Sequence, residues 1–187
     1  VEVGPGAAQA RELNLGFFSR MVRGTPWVRL KVAASLDGTT ALANGASQWI
    51  TSPEARADGH AWRARACAVL TGIGTVLADD PRLDVRELPT PRQPQLVVLD
   101  SQLRTPLSAQ LFIADRPTTL CASGHFDSDF LARKAALEER GATVLQLPGP
   151  AGQVDLPKML RALAARGVNE LHVEAGRQLN GALLGAG

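Results

Sequence analysis

The chain has 187 residues, 45% hydrophobic and 20% charged, with a formal net charge of +2. That describes one soluble domain, or one domain with a short appendage, long enough to bury a core. The charge is too small to indicate nucleic acid. No run reaches the roughly 18 apolar residues of a membrane helix, and the first residues lack a signal-peptide pattern, so the expected location is the cytoplasm.

Residues 1–10 are small, glycine-containing and non-periodic, and read as a linker or the tail of a preceding module. Residues 11–23 are weakly helical, with Leu13, Phe17, Phe18 and Met21 on roughly one side, until Gly24, Thr25 and Pro26 break the pattern. WVRLKVAA, residues 27–34, reads as a strand. Asp37–Gly38 is a turn or a backbone position needing positive φ. Ser52, Pro53 and Glu54 open a helix as N-cap, first residue and first-turn acid, and it runs to about Arg65. CAVLT, residues 67–71, is the next strand, and Gly72–Ile73–Gly74–Thr75 turns into a short helix ending at Asp79–Asp80–Pro81.

Strands then fall at 96–99, 118–122, 143–147 and 170–173, alternating with helices at 127–140, 155–166 and from 178 onward. Gly141 and Gly167 close the first two of these helices. Leu156, Met159, Leu160 and Leu163 keep helical spacing. The alternation predicts an α/β fold with a mostly parallel sheet. The chain stops just after a short helix, where such a domain normally returns to its sheet, so the sheet is expected to be incomplete at its C-terminal end. Cys67 and Cys121 lack CxxC spacing and sit in apolar runs, as buried strand residues of a reducing compartment do.

The chemistry-bearing residues concentrate between residues 30 and 86. Lys31 lies inside an apolar run, either facing a cleft that takes an anion or snorkelling to the surface. Asp79 and Asp80 follow a glycine-rich turn, where carboxylates can orient a ligand or handle protons, or simply be solvated. Gly72–Ile73–Gly74 and Glu174–Ala175–Gly176 each follow a strand and precede a helix, so backbone N–H groups can meet phosphate there. Neither is a full dinucleotide fingerprint, and GxxxxGK[ST] is absent. Arg63, Arg82 and Arg86 lie in or near these turns and suit bidentate phosphate contacts. Trp49, in a polar loop beside Ser47 and Thr51, either stacks on a planar ligand or staples the loop to the core. Three histidines without ligand spacing predict no structural zinc.

KVAASLDGTTA, then GASQWITSPEAR, TVLADDPRLDVR, VLDS and VEAG, in that order, closely resemble the reductase domain of the bacterial bifunctional riboflavin-biosynthesis protein. In that family a zinc deaminase precedes the reductase. The resemblance implies a dihydrofolate-reductase-like fold over residues 14–187, with residues 1–13 as the link from an absent deaminase domain. It implies NADPH-dependent reduction of 5-amino-6-(5-phosphoribosylamino)uracil to its ribityl product, and a homodimer. By the same resemblance Ser47, Arg63, Leu83, Arg86 and Glu174 are substrate contacts. Ala33, Trp49, Thr75, Asp79, Ser101 and the loop from Gly176 are NADPH contacts. Lys31, Asp79 and Glu174 are the charged groups expected nearest the reacting sugar, with the proton donor among them left open. The deaminase motifs, H-A-E and a P-C-x-x-C-type pair, are absent, and so are the family's later L-V-D-E and A-P-x-x-x-G segments.

Two other readings stand beside this one. A sister reductase of fungal and archaeal type acts on the 2,5-diamino pyrimidinone before deamination, on the same fold. The chain could instead be a non-catalytic fragment that binds nucleotide or a partner.

Overall fold

The computed structural model describes residues 4–43, 50–124 and 127–186. The strands are β1 (Trp27–Lys31), β2 (Ala68–Gly72), β3 (Gln95–Leu99), β4 (Thr118–Ala122), β5 (Ala142–Gln146) and β6 (Glu170–Glu174). They form one sheet in the order β1-β6-β2-β3-β4-β5, every pair parallel. The helices are α1 (Ala7–Leu13), α2 (Leu15–Phe18), α3 (Pro53–Arg65), α4 (Ile73–Asp79), α5 (Ser128–Glu139), α6 (Leu156–Ala165) and α7 (Arg177–Gly185). The predicted parallel α/β architecture is the one observed.

Side-chain alternation along the central strands builds two cores. Val69, Leu96, Val98 and Leu120 pack with Phe130 and Leu137 of α5 and Val76 of α4. Their strand neighbours Ala68, Leu70, Val97, Cys121, Leu171 and Val173 pack on the other face with Met159 and Leu163 of α6. His172 pairs in register with Val69, so His172 and Glu174 face the α5 side of the sheet.

The predicted N-cap Ser52 is in place, and the structure adds Asp127 and Asp155, which open their helices as caps. Ser52 accepts from the Ala55 N–H, and Asp127 and Asp155 cap α5 and α6 in the same way. Gly38 takes φ 81°, as its turn requires. Three local expectations differ. The first strand stops at Lys31, three residues short of the predicted end. The alanine-rich stretch from Ala7 is helical where a linker was read, favoured by alanine's high propensity, yet none of its residues is buried. Residues 11–23 are not one helix but break at Asn14 and end in a π-helical turn, Ser19–Arg23. Their apolar stripe stays in solvent: Leu13 is 74% and Met21 60% exposed. The segment docks through Arg20, whose Nε donates to Asn169 Oδ1 at 2.6 Å, and through Gly16. A Cβ there would lie 2.5 Å from Glu170 Cγ and 2.8 Å from the Asn169 carbonyl oxygen, so only glycine permits the approach. Cys121 is buried as expected, while Cys67, just before β2, is only half-buried.

No helix among the described residues is long and apolar enough to cross a membrane. Two substitutions in and beside α5 separate packing from capping. Phe130→Ala, which empties a fully buried site, is expected to cost about 3–5 kcal/mol. Asp127→Ala, which removes the cap, is expected to cost about 1 kcal/mol. Urea denaturation of both variants checks the ranking.

Candidate active site

In open parallel sheets ligands gather beyond the carboxyl ends of the strands. Here that edge carries Lys31 at the end of β1 and Glu174 at the end of β6, paired in register across the two strands. Ala33 follows β1, Thr75 lies in the first turn of α4 after β2, Ser101 follows β3, and Gly176 opens α7 after β6. Four of the expected cofactor contacts therefore lie on one edge of the sheet. Ser47 and Trp49 lie outside the described residues.

Glu174 is the electrostatic centre. Its side chain is 12% exposed and that of Arg63, on α3, 14%. Arg63 donates from Nε to Oε1 and from Nη2 to Oε2, the second at 2.9 Å, a bidentate fork. Nη1 donates at 3.0 Å to the carbonyl of Asp84. His172 Nε2 lies 3.4 Å from Glu174 Oε1 but off hydrogen-bonding alignment, so this contact is electrostatic. Burial pushes the Glu174 carboxyl up, but the Arg63 hydrogen bonds, the neighbouring His172 and the Arg63 charge outweigh it, and the group is held well below the ordinary glutamate value. It is a carboxylate at neutral pH.

Behind this pair runs the loop of residues 81–86. The Asp84 side chain is 3% exposed and accepts from Arg82 at 2.9 and 2.5 Å and from Arg86 at 2.9 Å. Burial raises its carboxyl, but the hydrogen bonds from Arg86 and Arg82 prevail and hold it low. Arg86 is 47% exposed even with its Nη1 on Asp84. Leu83 has φ 53° and a buried side chain in the α5-side core. The side chain expected to contact substrate is therefore turned into the core.

Lys31 borders a cleft of about 320 Å³ between β1 and α3, shared with His172, Asp58 and Trp62. Trp62 donates to Asp58 at 3.0 Å, and Arg29 lies 3.8 Å over its ring. Asp79 is exposed at the last residue of α4. It makes no hydrogen bond or ion pair with Lys31 or Glu174 among the described residues. Its neighbour Asp80 is a structural acid, accepting from the Gln110 N–H at 2.9 Å.

The residues not anticipated from sequence are Asp84, His172, Gln93 and Arg116. Asp84 had a readable signal. In R-x-D-x-R, residues 82–86, the acid lies two residues from an arginine on either side, close enough for both to reach it. His172 and Arg116 sit in unremarkable local sequence, and only the topology brings them here.

The family model of the RibD C-terminal domain matches residues 26–187. The chain is 40% identical over 184 residues to the Escherichia coli riboflavin biosynthesis protein RibD, covering 96% of this chain and 50% of that protein. It superposes on Acinetobacter baumannii RibD with a TM-score of 0.80 at 36% identity, over 100% of this chain and 49% of the other. A Thermotoga maritima protein named as a diaminohydroxyphosphoribosylaminopyrimidine deaminase/5-amino-6-(5-phosphoribosylamino)uracil reductase matches with a TM-score of 0.73 at 25% identity, over 90% and 44%. The chain thus spans about half the length of the relatives it matches.

The ionised Glu174 sets a pH dependence. A depressed folded pKa contributes stability that is full above the ordinary glutamate value of about 4.3 and is lost as pH falls toward the folded value. Wild type should lose stability from pH 5 to pH 2 more steeply than Glu174→Gln, checked by urea unfolding at each pH.

Proposed function

Since the chain belongs to the RibD C-terminal domain family, with the dihydrofolate-reductase-like fold of its structural relatives, we propose that it reduces the ribosyl group of 5-amino-6-(5-phosphoribosylamino)uracil to a ribityl group, as the reductase half of a riboflavin-pathway pair. Membership implies a nicotinamide cofactor, and we assign NADPH. The observation that carries the reading is the register pairing of Lys31 with an ionised, buried Glu174 at the carboxyl edge of the sheet, beside a loop that presents Arg86.

The residues present fit a dinucleotide. The first turn of α7 has no side-chain cap, and nothing lies within 4 Å of where a Cβ on Gly176 or Gly74 would be. Backbone N–H groups there suit phosphate, and Ala33, Trp49, Thr75, Asp79 and Ser101 would hold the rest. When bound, the nicotinamide supplies the hydride for the sugar carbon attached to nitrogen, in its ring-opened imine form.

The chain's own residues do the remainder. Lys31 holds the proton that must accompany the hydride, giving it to the substrate nitrogen. Glu174, kept ionised by Arg63, accepts hydrogen bonds from the sugar hydroxyls and fixes the open chain. Three of the five N–H groups of Arg63 are committed to Glu174 and Asp84, which leaves two for the substrate. Arg86 and Ser47 meet the 5-phosphate end. In the working protein we place a zinc deaminase on the same chain, supplying the substrate, and a homodimeric assembly.

The test is loss of nicotinamide absorbance on mixing the chain with NADPH and the ribosylaminouracil phosphate. Lys31→Ala is expected to lower kcat by about 10²-fold or more with the fold intact. Full activity in Lys31→Ala would contradict the mechanism. Preference for the 2,5-diamino pyrimidinone would assign the sister reaction. Binding of NADPH without turnover of either substrate would make the chain a nucleotide-binding fragment.

A further inference from the structure

Four consecutive carbonyls of the loop after α4 are each held by a side chain from elsewhere. Arg116, just before β4, donates from Nη2 to Arg82 at 2.5 Å and from Nη1 to Leu83 at 2.6 Å. Arg63 holds Asp84, and Gln93 both donates to the Val85 carbonyl and accepts from its N–H, each at 2.8 Å. A short loop with four successive carbonyls fixed from outside is built to hold a backbone shape it would not keep alone. The strain is at Leu83, whose φ of 53° is uncommon for a residue other than glycine and costs about 1 kcal/mol or more. The Arg116 fork sits on the carbonyls on either side of that φ. Just beyond it are Asp84 and Arg86, the latter half-exposed with its Nη1 held by Asp84.

From this we infer that Arg116 is a positioning residue for phosphate recognition: by bridging the Arg82 and Leu83 carbonyls it holds Leu83 in its left-handed conformation and so aims Arg86 at the anionic end of the substrate. The inference rests on the proposed role of Arg86 and deepens it. The fork is planar and rigid, which a lysine cannot copy across two carbonyls. Burial pushes the Arg116 guanidinium down to about 10, and the Asp84 carboxylate nearby works against that, so it keeps its charge at neutral pH.

The probe is ribose 5-phosphate, titrated into the chain and followed by NMR. Arg116→Met is expected to weaken binding by about tenfold or more, a displacement effect, while thermal melting stays cooperative. Arg116→Lys should recover only part of the affinity. In an Arg86→Ala background, Arg116→Met should change affinity by less than about twofold, because the group it acts through is gone. A purely structural role would instead give independent losses in the double variant, and that result overturns the inference. Wild-type affinity in Arg116→Met, or no binding of ribose 5-phosphate by wild type, overturns it too. If Arg116→Met does not fold, Arg116→Lys decides: several-fold weaker binding supports the inference, and wild-type affinity overturns it. A wild type that binds ribose 5-phosphate normally but never turns over the pyrimidine contradicts the reductase reading alone.

Discussion

The bidentate contact between Arg63 and Glu174 is the constraint on which the site depends. It ties α3 to the carboxyl end of β6 across 111 residues of sequence. Both side chains are largely out of water, where an unpaired carboxylate would be protonated or expelled. Paired, Glu174 is fixed as an acceptor at the point where β1 and β6 bring Lys31 beside it. The third donor of Arg63 reaches the Asp84 carbonyl, so the same guanidinium also sets the near side of the arginine-bearing loop.

The site thus has two parts with different physics. Along the sheet edge, strand ends and helix starts offer backbone donors and open space, suited to an extended dinucleotide. Across the α5-side face runs a charged chain: Glu174, Arg63, Asp84 with Arg82 and Arg86, and Arg116 on the neighbouring carbonyls. In such a low-dielectric setting a fully partnered network holds shape, whereas one missing member leaves a buried charge exposed to its cost. Placement of charge in advance of binding is what a reductase needs from its protein, since the cofactor carries the redox chemistry.

Much of this was legible in the residues. Alternating strands and helices, with Ser52 as a cap and Gly141 and Gly167 as stops, point to the parallel sheet from local rules alone. Lys31 stood out as a charge inside an apolar run, with its role open, while the family motifs singled out Glu174. The charge chain could not be read, because its members lie far apart in sequence: Arg63 with Glu174, Arg116 with Arg82 and Leu83. Local patterning is also blind to long-range docking at the N-terminal segment. The stripe of Leu13, Phe17, Phe18 and Met21 suggests a buried face, yet contact is made through Arg20 and through Gly16, a residue with no side chain to signal it. On spacing alone Asp79 and Asp80 are equivalent adjacent carboxylates, and only the family resemblance singles out Asp79. The turn geometry separates them, committing Asp80 to Gln110 and leaving Asp79 exposed at the helix end.

The most direct test of this account is NMR observation of the Arg63 Nε–H group. A buried, bidentate guanidinium should show a slowly exchanging, shifted Nε proton at neutral pH, and Glu174→Gln should return it toward the free-arginine position. An Arg63 Nε–H that exchanges as fast as a solvated arginine, or that Glu174→Gln leaves unmoved, would show that the pair does not organise the site.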